Sequence, residues 1–522
     1  MENTHQLSTY ITFGTALIGL IANPKHFCNV PEVWSFVCSA IQRGFIWRKD
    51  TMKVQYNLRI MPQFFGNLLR ALRERRGTDM SFMCRHLLSE RGEASQTALA
   101  QEIIVAYKAM NDEQRLKFFE MLSRDFEPDR ATIVRAAADY QSAPGPKTLA
   151  ALSAAVESPR QELFRRINTA PRGTETLVTL REHVLASNKK NFAALDLDLK
   201  HLFRSWFNRG FLSLERISWH TSALILEKLI AYESVHEING WPDLHRRLET
   251  DRRCFAFFHP ALLEEPIIFV EVALSKGLTG DLEPLLGIQT PVLPPNTADA
   301  AIFYSINNCL RGLRGVPFGN FLIKQVVAEL AAEFPNIQIY GTLSPLPKFS
   351  QALRDQQNEE GFTHDRLLRL LVDHARDLGT AARRRDPLEA LFHLLEKPVE
   401  HRDVLAKPLE RLALAYLTQA RQNGKLYDPV ATFHLSNGAR LERINTFGNL
   451  RPYGLQASFG VTVNYRYLPD ELEENHERFV RGEIQVAADL LDDYRAVAKA
   501  WQRSIVKTIE PVFRQRRAQK RL

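Results

Sequence analysis

The sequence predicts a multidomain protein of α and α+β type, with an N-terminal helical domain followed by an α+β domain built on a mixed sheet. Three observations carry this. Between about 65 and 200 nearly every local signal is helical. Beyond 202, β-branched runs appear: Ile267-Ile268-Phe269-Val270-Glu271-Val272-Ala273-Leu274, Ala301-Ile302-Phe303-Tyr304-Ser305-Ile306 and Ile337-Gln338-Ile339-Tyr340. The last two flank a glycine-punctuated loop and an amphipathic helix, giving the order strand, loop, helix, strand. At 522 residues the chain exceeds one ordinary core. The division read from these signals is an N-terminal extension over 1–64, a helical oligomerisation domain over 65–200, an α+β domain over 201–510 and a basic tail over 511–522.

Taken in order, the segment 11–22 is apolar but too short to span a bilayer, and only His5 precedes it where a secretory signal needs a basic region. It reads as a leader or a buried helix, and not as a targeting signal. Leu99, Ile103, Ala106 and Met110 recur at helical spacing, forming one apolar face. Asn111 with Gln114 forms a capping-box pattern before Leu116, Phe118, Phe119 and Leu122. Ser158-Pro159-Arg160-Gln161 supplies a cap, a proline at the first helical position and a glutamine three after the cap.

Further on, a helix is expected over 320–333 with Asn320 as its N-cap. The stretch 350–422 is helical and charged, with Asp365-Arg366-Leu367-Leu368-Arg369-Leu370-Leu371 supplying its core face. Asn437-Gly438 predicts a hairpin joining Thr432-Phe433-His434-Leu435 to Leu441-Glu442-Arg443-Ile444. Val461-Thr462-Val463-Asn464-Tyr465 closes the strand series.

Composition narrows the function. Five scattered cysteines form no CxxC pair and no Cys/His ligand spacing, which argues against a disulfide scaffold or a metal site and favours a reducing, cytoplasmic setting. The net charge of +8 comes from 68 basic against 60 acidic residues. Part of it sits in the tail Arg514-Gln515-Arg516-Arg517-Ala518-Gln519-Lys520-Arg521, which reads as a solvated terminus rather than a nucleic-acid arm. No nucleic-acid motif and no membrane span accompany it, and the terminal Lys520-Arg521-Leu522 is a poor match to a peroxisomal address.

The loop reads Arg311-Gly312-Leu313-Arg314-Gly315-Val316-Pro317-Phe318-Gly319-Asn320. Its glycines allow close backbone approach, its arginines suit bidentate phosphate contact, and the following helix offers its positive end. Such a loop cradles a pyrophosphate, so a nucleotide-like cofactor or a thioester carrier is the expected ligand.

Strand, phosphate loop, helix, strand resembles the acyl-CoA cradle of the acetyltransferase-like folds, and the loop is an imperfect version of their signature. The surrounding words are more specific. Cys254-Phe255-Ala256-Phe257-Phe258-His259-Pro260, Asn320-Phe321-Leu322-Ile323-Lys324, Thr342-Leu343-Ser344-Pro345-Leu346-Pro347 and Asp428-Pro429-Val430-Ala431-Thr432-Phe433-His434-Leu435-Ser436-Asn437-Gly438-Ala439 together resemble malonyl-CoA decarboxylases. Glu162-Leu163-Phe164-Arg165-Arg166 and Ser205-Trp206-Phe207-Asn208-Arg209-Gly210-Phe211-Leu212 fit as well, so the resemblance spans about 65–467.

The resemblance implies an acetyltransferase-like catalytic domain and a carboxy-lyase that converts malonyl-CoA to acetyl-CoA and CO2. It implies acid–base work by Ser344 and His434, with no metal and no organic cofactor. Arg314, Gly315, Val316, Pro317, Phe318, Gly319 and Asn320 would hold the CoA moiety, and Tyr467 would contact substrate. It also implies a homodimer or homotetramer. Animal members carry an acidic residue where Pro317 stands, which puts that part of substrate orientation in doubt. On the residues alone, Ser344 could be a turn serine and His434 or His259 a packed core histidine. Two other functions fit the same fold: an acyl-CoA-dependent acyltransferase, which needs an acceptor, and a non-catalytic acyl-CoA sensor. Malonate catabolism and control of fatty-acid synthesis both suit the expected reaction.

Overall fold

The computed structural model describes residues 79–502 apart from 91, 317–320 and 357. The 1–64 extension, the basic tail, the Asn320 cap, and Pro317, Phe318 and Gly319 of the loop lie outside the described residues.

Among the described residues eight α-helices come first: α1 Met80–Ser89, α2 Glu93–Lys108, α3 Asp112–Asp125, α4 Arg130–Ser142, α5 Pro146–Val156, α6 Pro159–Asn168, α7 Gly173–Ser187 and α8 Ala193–Trp206. Their starts are written in local chemistry. Asp79, Asn111, Asp129 and Ser158 each cap a helix by accepting a backbone N–H, and Asn111 and Gln114 close the expected capping box. Each such cap is worth about 1 kcal/mol. On α2 the buried face is Leu99, Ala100, Ile103, Ile104 and Tyr107. Met110 falls past the helix end, so the apolar stripe is one turn shorter and wider than the spacing predicts.

The α+β part follows, with β1 Ser213–Ile217, α9 Ala223–Tyr232, α10 Trp241–Arg247, β2 Arg252–Phe258, β3 Ile268–Ser275, β4 Ala300–Asn308, α11 Phe321–Glu333, β5 Ile339–Thr342 and β6 Ser344–Pro345. Helices then fill most of 349–418, among them α12 Phe349–Arg354, α13 His364–Leu371 and α14 Arg402–Thr418. Leu367, Leu370 and Leu371 form the buried face of α13, as their spacing predicts. The chain finishes with α15 Pro429–Ser436, β7 Arg440–Asn445, α16 Pro452–Ser458, β8 Thr462–Tyr467 and the helices Leu472–Val480 and Leu491–Gln502.

Among the described residues these eight strands form one mixed sheet, and Arg421–Gln422 pairs with Lys425–Leu426 in a separate two-stranded ribbon. β1 to β4 pair antiparallel in order, β4 and β5 are parallel, and β8 pairs antiparallel with β5, β6 and β7. β5 and β6 are successive segments along one edge of β8, interrupted at Leu343. β4 stays beside β5 only from Ala300↔Ile339 to Phe303↔Thr342, with one further bond from Leu343 N–H to the Phe303 carbonyl. β4 then runs on to Asn308 while the other chain follows β8, so the two parallel strands part beside Ser344.

One continuous apolar cluster joins the two parts, from Leu87 and Phe119 through Val270, Phe303 and Val326 to Leu412 and Trp501. Burial of this kind contributes about 25 cal/mol per Å2 of apolar surface.

The expected hairpin at Asn437-Gly438 is not formed. Residues 432–435 belong to the helix α15, for which Asp428 is the N-cap, accepting from Ala431 N–H at 2.7 Å, and Pro429 is the first residue. Asn437 and Gly438 end that helix in a Schellman motif: Gly438 N–H reaches the Leu435 carbonyl and Ala439 N–H the His434 carbonyl. The Asn-Gly pair that favours a tight hairpin also suits a left-handed helix end, and the upstream Asp-Pro start decides between them.

Candidate active site

Three elements converge below the point where β4 and β5 part. Ser344 opens β6, His434 occupies the last turn of α15, and Tyr467 ends β8. His434 Nε2 lies 3.1 Å from Ser344 Oγ, and His434 Nδ1 lies 2.7 Å from the Tyr467 hydroxyl. On its other side Ser344 Oγ is 2.9 Å from Thr342 Oγ1. The result is a linear chain of four side chains, Tyr467–His434–Ser344–Thr342, all buried.

Each member is placed by something specific. The Schellman end holds the His434 backbone, and its ring stacks on Tyr465 at 4.7 Å between centroids and meets Phe433 edge-on. Where β5 gives way to β6, Thr342 Oγ1 accepts the Tyr465 N–H at 3.1 Å. Asn464 Nδ2 donates to the Thr342 carbonyl at 2.6 Å and to Thr279 O at 2.9 Å, while its Oδ1 accepts from Asn445 Nδ2. These side-chain bonds fix a kink that a continuous strand would not have, and the kink presents Ser344.

Burial dominates the electrostatics. It pushes the His434 imidazole down to about 3, because no neighbouring charge offsets the lost hydration of the cation. It also drives the Tyr467 phenol well above its ordinary range. The unliganded histidine is therefore neutral at physiological pH. A phenol is a stronger donor than an imidazole N–H, so the short contact assigns the Tyr467 proton to Nδ1 and leaves Nε2 carrying the hydrogen toward Ser344.

The loop after β4 opens with a 3-10 turn, Arg311–Leu313. Gly312 packs so close to α7 that an added Cβ would lie 2.0 Å from the Val178 carbonyl oxygen. Gly315 has φ +74°, the left-handed region that favours glycine. Arg314 is exposed and Val316 is buried. His259 stands apart from this constellation: its ring nitrogens engage the Trp206 carbonyl and the Ala261 N–H, and its ring packs on Phe207. It is a packed structural histidine.

Thr342 and Asn464 were not visible as site residues in the sequence. Thr342 precedes Ser344 by two positions, and only the strand break gives it a polar task. A cleft of about 850 Å3 opens beyond Pro347, lined among others by Arg354, Tyr453, Gln456 and Phe459. Neither Ser344 nor His434 lines it. Among the described residues no helix is long and apolar enough to cross a membrane, and no group of three His, Cys, Asp or Glu side chains is arranged to hold a metal ion.

Comparison with known proteins identifies the kinship. Residues 210–504 match the family model of the malonyl-CoA decarboxylase C-terminal domain, and residues 126–207 that of its N-terminal domain. The structure of malonyl-CoA decarboxylase from Rhodopseudomonas palustris is similar at 43% identity and a TM-score of 0.71, over 79% of this chain and 98% of that one. That from Agrobacterium vitis is similar at 40% identity and a TM-score of 0.69, over 82% and 100%. The mitochondrial malonyl-CoA decarboxylase of Anser anser anser is 33% identical over 402 residues, covering 70% of this chain and 77% of the relative.

Proposed function

The chain belongs to the malonyl-CoA decarboxylase family, and we propose that its Ser344–His434 pair carries out the reaction of that family by acid–base chemistry. The enzyme is a carboxy-lyase that converts malonyl-CoA to acetyl-CoA and CO2. The observation that supports the pair as its machinery is the buried hydrogen bond between Ser344 Oγ and His434 Nε2, beside the parting of β4 and β5.

The chemistry sets two tasks. Breaking the bond between the methylene carbon and the carboxylate sends the electron pair into the thioester carbonyl, giving an enolate as CO2 leaves. A proton must then reach that carbon, so the net reaction consumes one proton. The thioester is itself the electron sink, which is why the reading includes no metal and no organic cofactor. Donors aimed at the developing enolate oxygen are worth about 3 kcal/mol each.

In this reading Ser344 bonds the malonyl group, turning its hydroxyl away from Thr342. The substrate carboxylate sits in a site that has excluded water, and its charge raises the affinity of His434 for a proton. His434, as imidazolium, then donates to Tyr467 from Nδ1 and delivers the Nε2 proton to the enolate carbon directly or through Ser344. Tyr467 acts here by donating to Nδ1 of the neutral histidine and then accepting the Nδ1 hydrogen of the imidazolium, a positioning role in place of the substrate contact implied by the resemblance. Arg314, Gly315 and Val316 would hold the CoA diphosphate, together with Pro317, Phe318, Gly319 and Asn320, which lie outside the described residues.

We assign the helical domain over 65–200 to self-association, as a dimer or tetramer, and the domain over 201–510 to catalysis. The α4–α5 hairpin supports the first assignment. Of α4 only Ala136 is buried, α5 buries nothing, and Val134, Leu149 and Val156 are exposed. A cytoplasmic setting fits three buried free cysteines, Cys84, Cys254 and Cys309. The test of the reaction is incubation of chelator-treated protein with malonyl-CoA, following acetyl-CoA and CO2 by mass spectrometry. Equal yields of both without an added acceptor are expected; intact malonyl-CoA, or turnover that depends on an acceptor amine, would contradict the cofactor-free decarboxylase.

A further inference from the structure

The 311–316 turn is tied to the helical domain. Arg181 of α7 is buried, and its Nη1 donates to the Gly312 carbonyl at 2.6 Å and to the Arg314 carbonyl at 2.9 Å. Its Nε is held by Asp196 Oδ1 of α8 at 2.7 Å. Two loop carbonyls are thus drawn toward α7.

One turn along α8 from Asp196, on the same helix face, stands Lys200. A Cβ at Gly315 would lie 3.2 Å from Lys200 Nζ and 3.5 Å from its Cε, so the ammonium sits over the left-handed glycine of the loop. Arg311 and Arg314 are exposed in the same turn. None of the three cations has an ion-pair partner among the described residues, although ion pairs bind many other cations of the chain. Three cations without ion-pair partners thus belong to, or stand beside, one glycine turn, and such a set suits a polyanion.

We propose that Lys200, contributed by the helical domain, binds the diphosphate of the CoA moiety together with Arg311 and Arg314. The proposal rests on the 311–316 turn being the CoA diphosphate site. It makes the helical domain a part of the substrate site, with Arg181 and Asp196 as positioning residues behind it.

The test compares Lys200→Met, Lys200→Arg and Arg314→Met with the wild-type enzyme on malonyl-CoA, malonyl-dephospho-CoA and malonyl-pantetheine. Lys200→Met is expected to raise KM about tenfold on both diphosphate-bearing substrates, with kcat little changed. Lys200→Arg recovers most of that loss. On malonyl-pantetheine, which has no diphosphate, the ratio of wild-type to Lys200→Met kcat/KM falls to near one. A KM unmoved in Lys200→Met but raised in Arg314→Met overturns the role of Lys200 alone. A KM unmoved in both overturns the placement of the diphosphate in this loop as well. A defect that vanishes already with malonyl-dephospho-CoA moves Lys200 to the 3′-phosphate and overturns the proposal, as does an equal defect on malonyl-pantetheine.

Discussion

The Tyr467 hydroxyl meets His434 Nδ1 at 2.7 Å, on the ring edge opposite the one that faces Ser344. A histidine held at both nitrogens by buried hydroxyls has its ring plane and its tautomer fixed together. That fixes which hydrogen is offered toward Ser344, and it does so without a carboxylate that would hold the ring charged.

Removing the Tyr467 hydroxyl leaves Nδ1 buried without its donor and frees the tautomer. Tyr467→Phe is expected to lower kcat about tenfold or more, with KM for malonyl-CoA changed much less. Steady-state kinetics across pH would check this, since loss of the hydroxyl also shifts the acid limb of kcat. A variant that instead raises KM alone would place Tyr467 on the substrate.

Thr342→Val keeps the shape of the side chain and strands the buried Tyr465 N–H. The expected cost is about 1–3 kcal/mol of stability, the penalty for an unsatisfied buried donor. Urea denaturation measures it. Because the Thr342 hydroxyl also fixes the Ser344 rotor, kcat should fall as well, whereas Asn464→Ala should lower stability and activity together by loosening the kink.

Gly438 cannot carry a side chain. Its φ is +83°, and an added Cβ would lie 2.1 Å from the Leu472 carbonyl oxygen. Gly438→Ala is expected to destabilise the fold by roughly 2 kcal/mol or more and to displace His434, since the same turn closes on the His434 carbonyl. Thermal melting with a parallel activity assay separates the two effects.

The low pKa of His434 predicts a pH dependence of stability. The folded site resists protonation while the unfolded histidine takes a proton below about 6.5, so the unfolded state binds more protons as pH falls. The stability gained from the neutral histidine is present above about 6.5 and is lost on acidification toward about 3. Relative to wild type, His434→Gln should therefore gain stability as pH falls through that window, by about 1.4 kcal/mol per pH unit at most. Denaturation midpoints of the pair between pH 7 and pH 5 give the sign.

Binding should reverse the same preference. When a malonyl-CoA analogue that cannot lose CO2 enters the site near pH 7, the enzyme is expected to take up close to one proton. Titration calorimetry in buffers of different ionisation enthalpy measures it, and His434→Gln should abolish the uptake.

Much of this architecture was legible because it is written in local chemistry. The Asn111–Gln114 box, the Ser158-Pro159 start and the apolar face of 365–371 each depend on a few neighbouring residues, and each formed as read. Strand, loop, helix and strand around the parting of β4 and β5 were likewise readable from periodicity. Asn437-Gly438 signals a hairpin that would place His434 in a strand, whereas the Asp428-Pro429 start upstream places it in a helix. Thr342, Asn464, Arg181 and Lys200 were not legible at all. Their tasks arise from a strand break and from contacts between helices and a loop more than 100 residues apart in the chain, which no local pattern encodes.

The most direct test of the central assignment is single-turnover decarboxylation of malonyl-CoA by wild-type enzyme, Ser344→Ala and His434→Asn, with CoA-thioester binding measured on the same samples. The account predicts that both variants still bind the thioester and fold, while the rate of acetyl-CoA formation falls by about 100-fold or more, the usual contribution of a general acid. A His434→Asn enzyme that decarboxylates at the wild-type rate would contradict it.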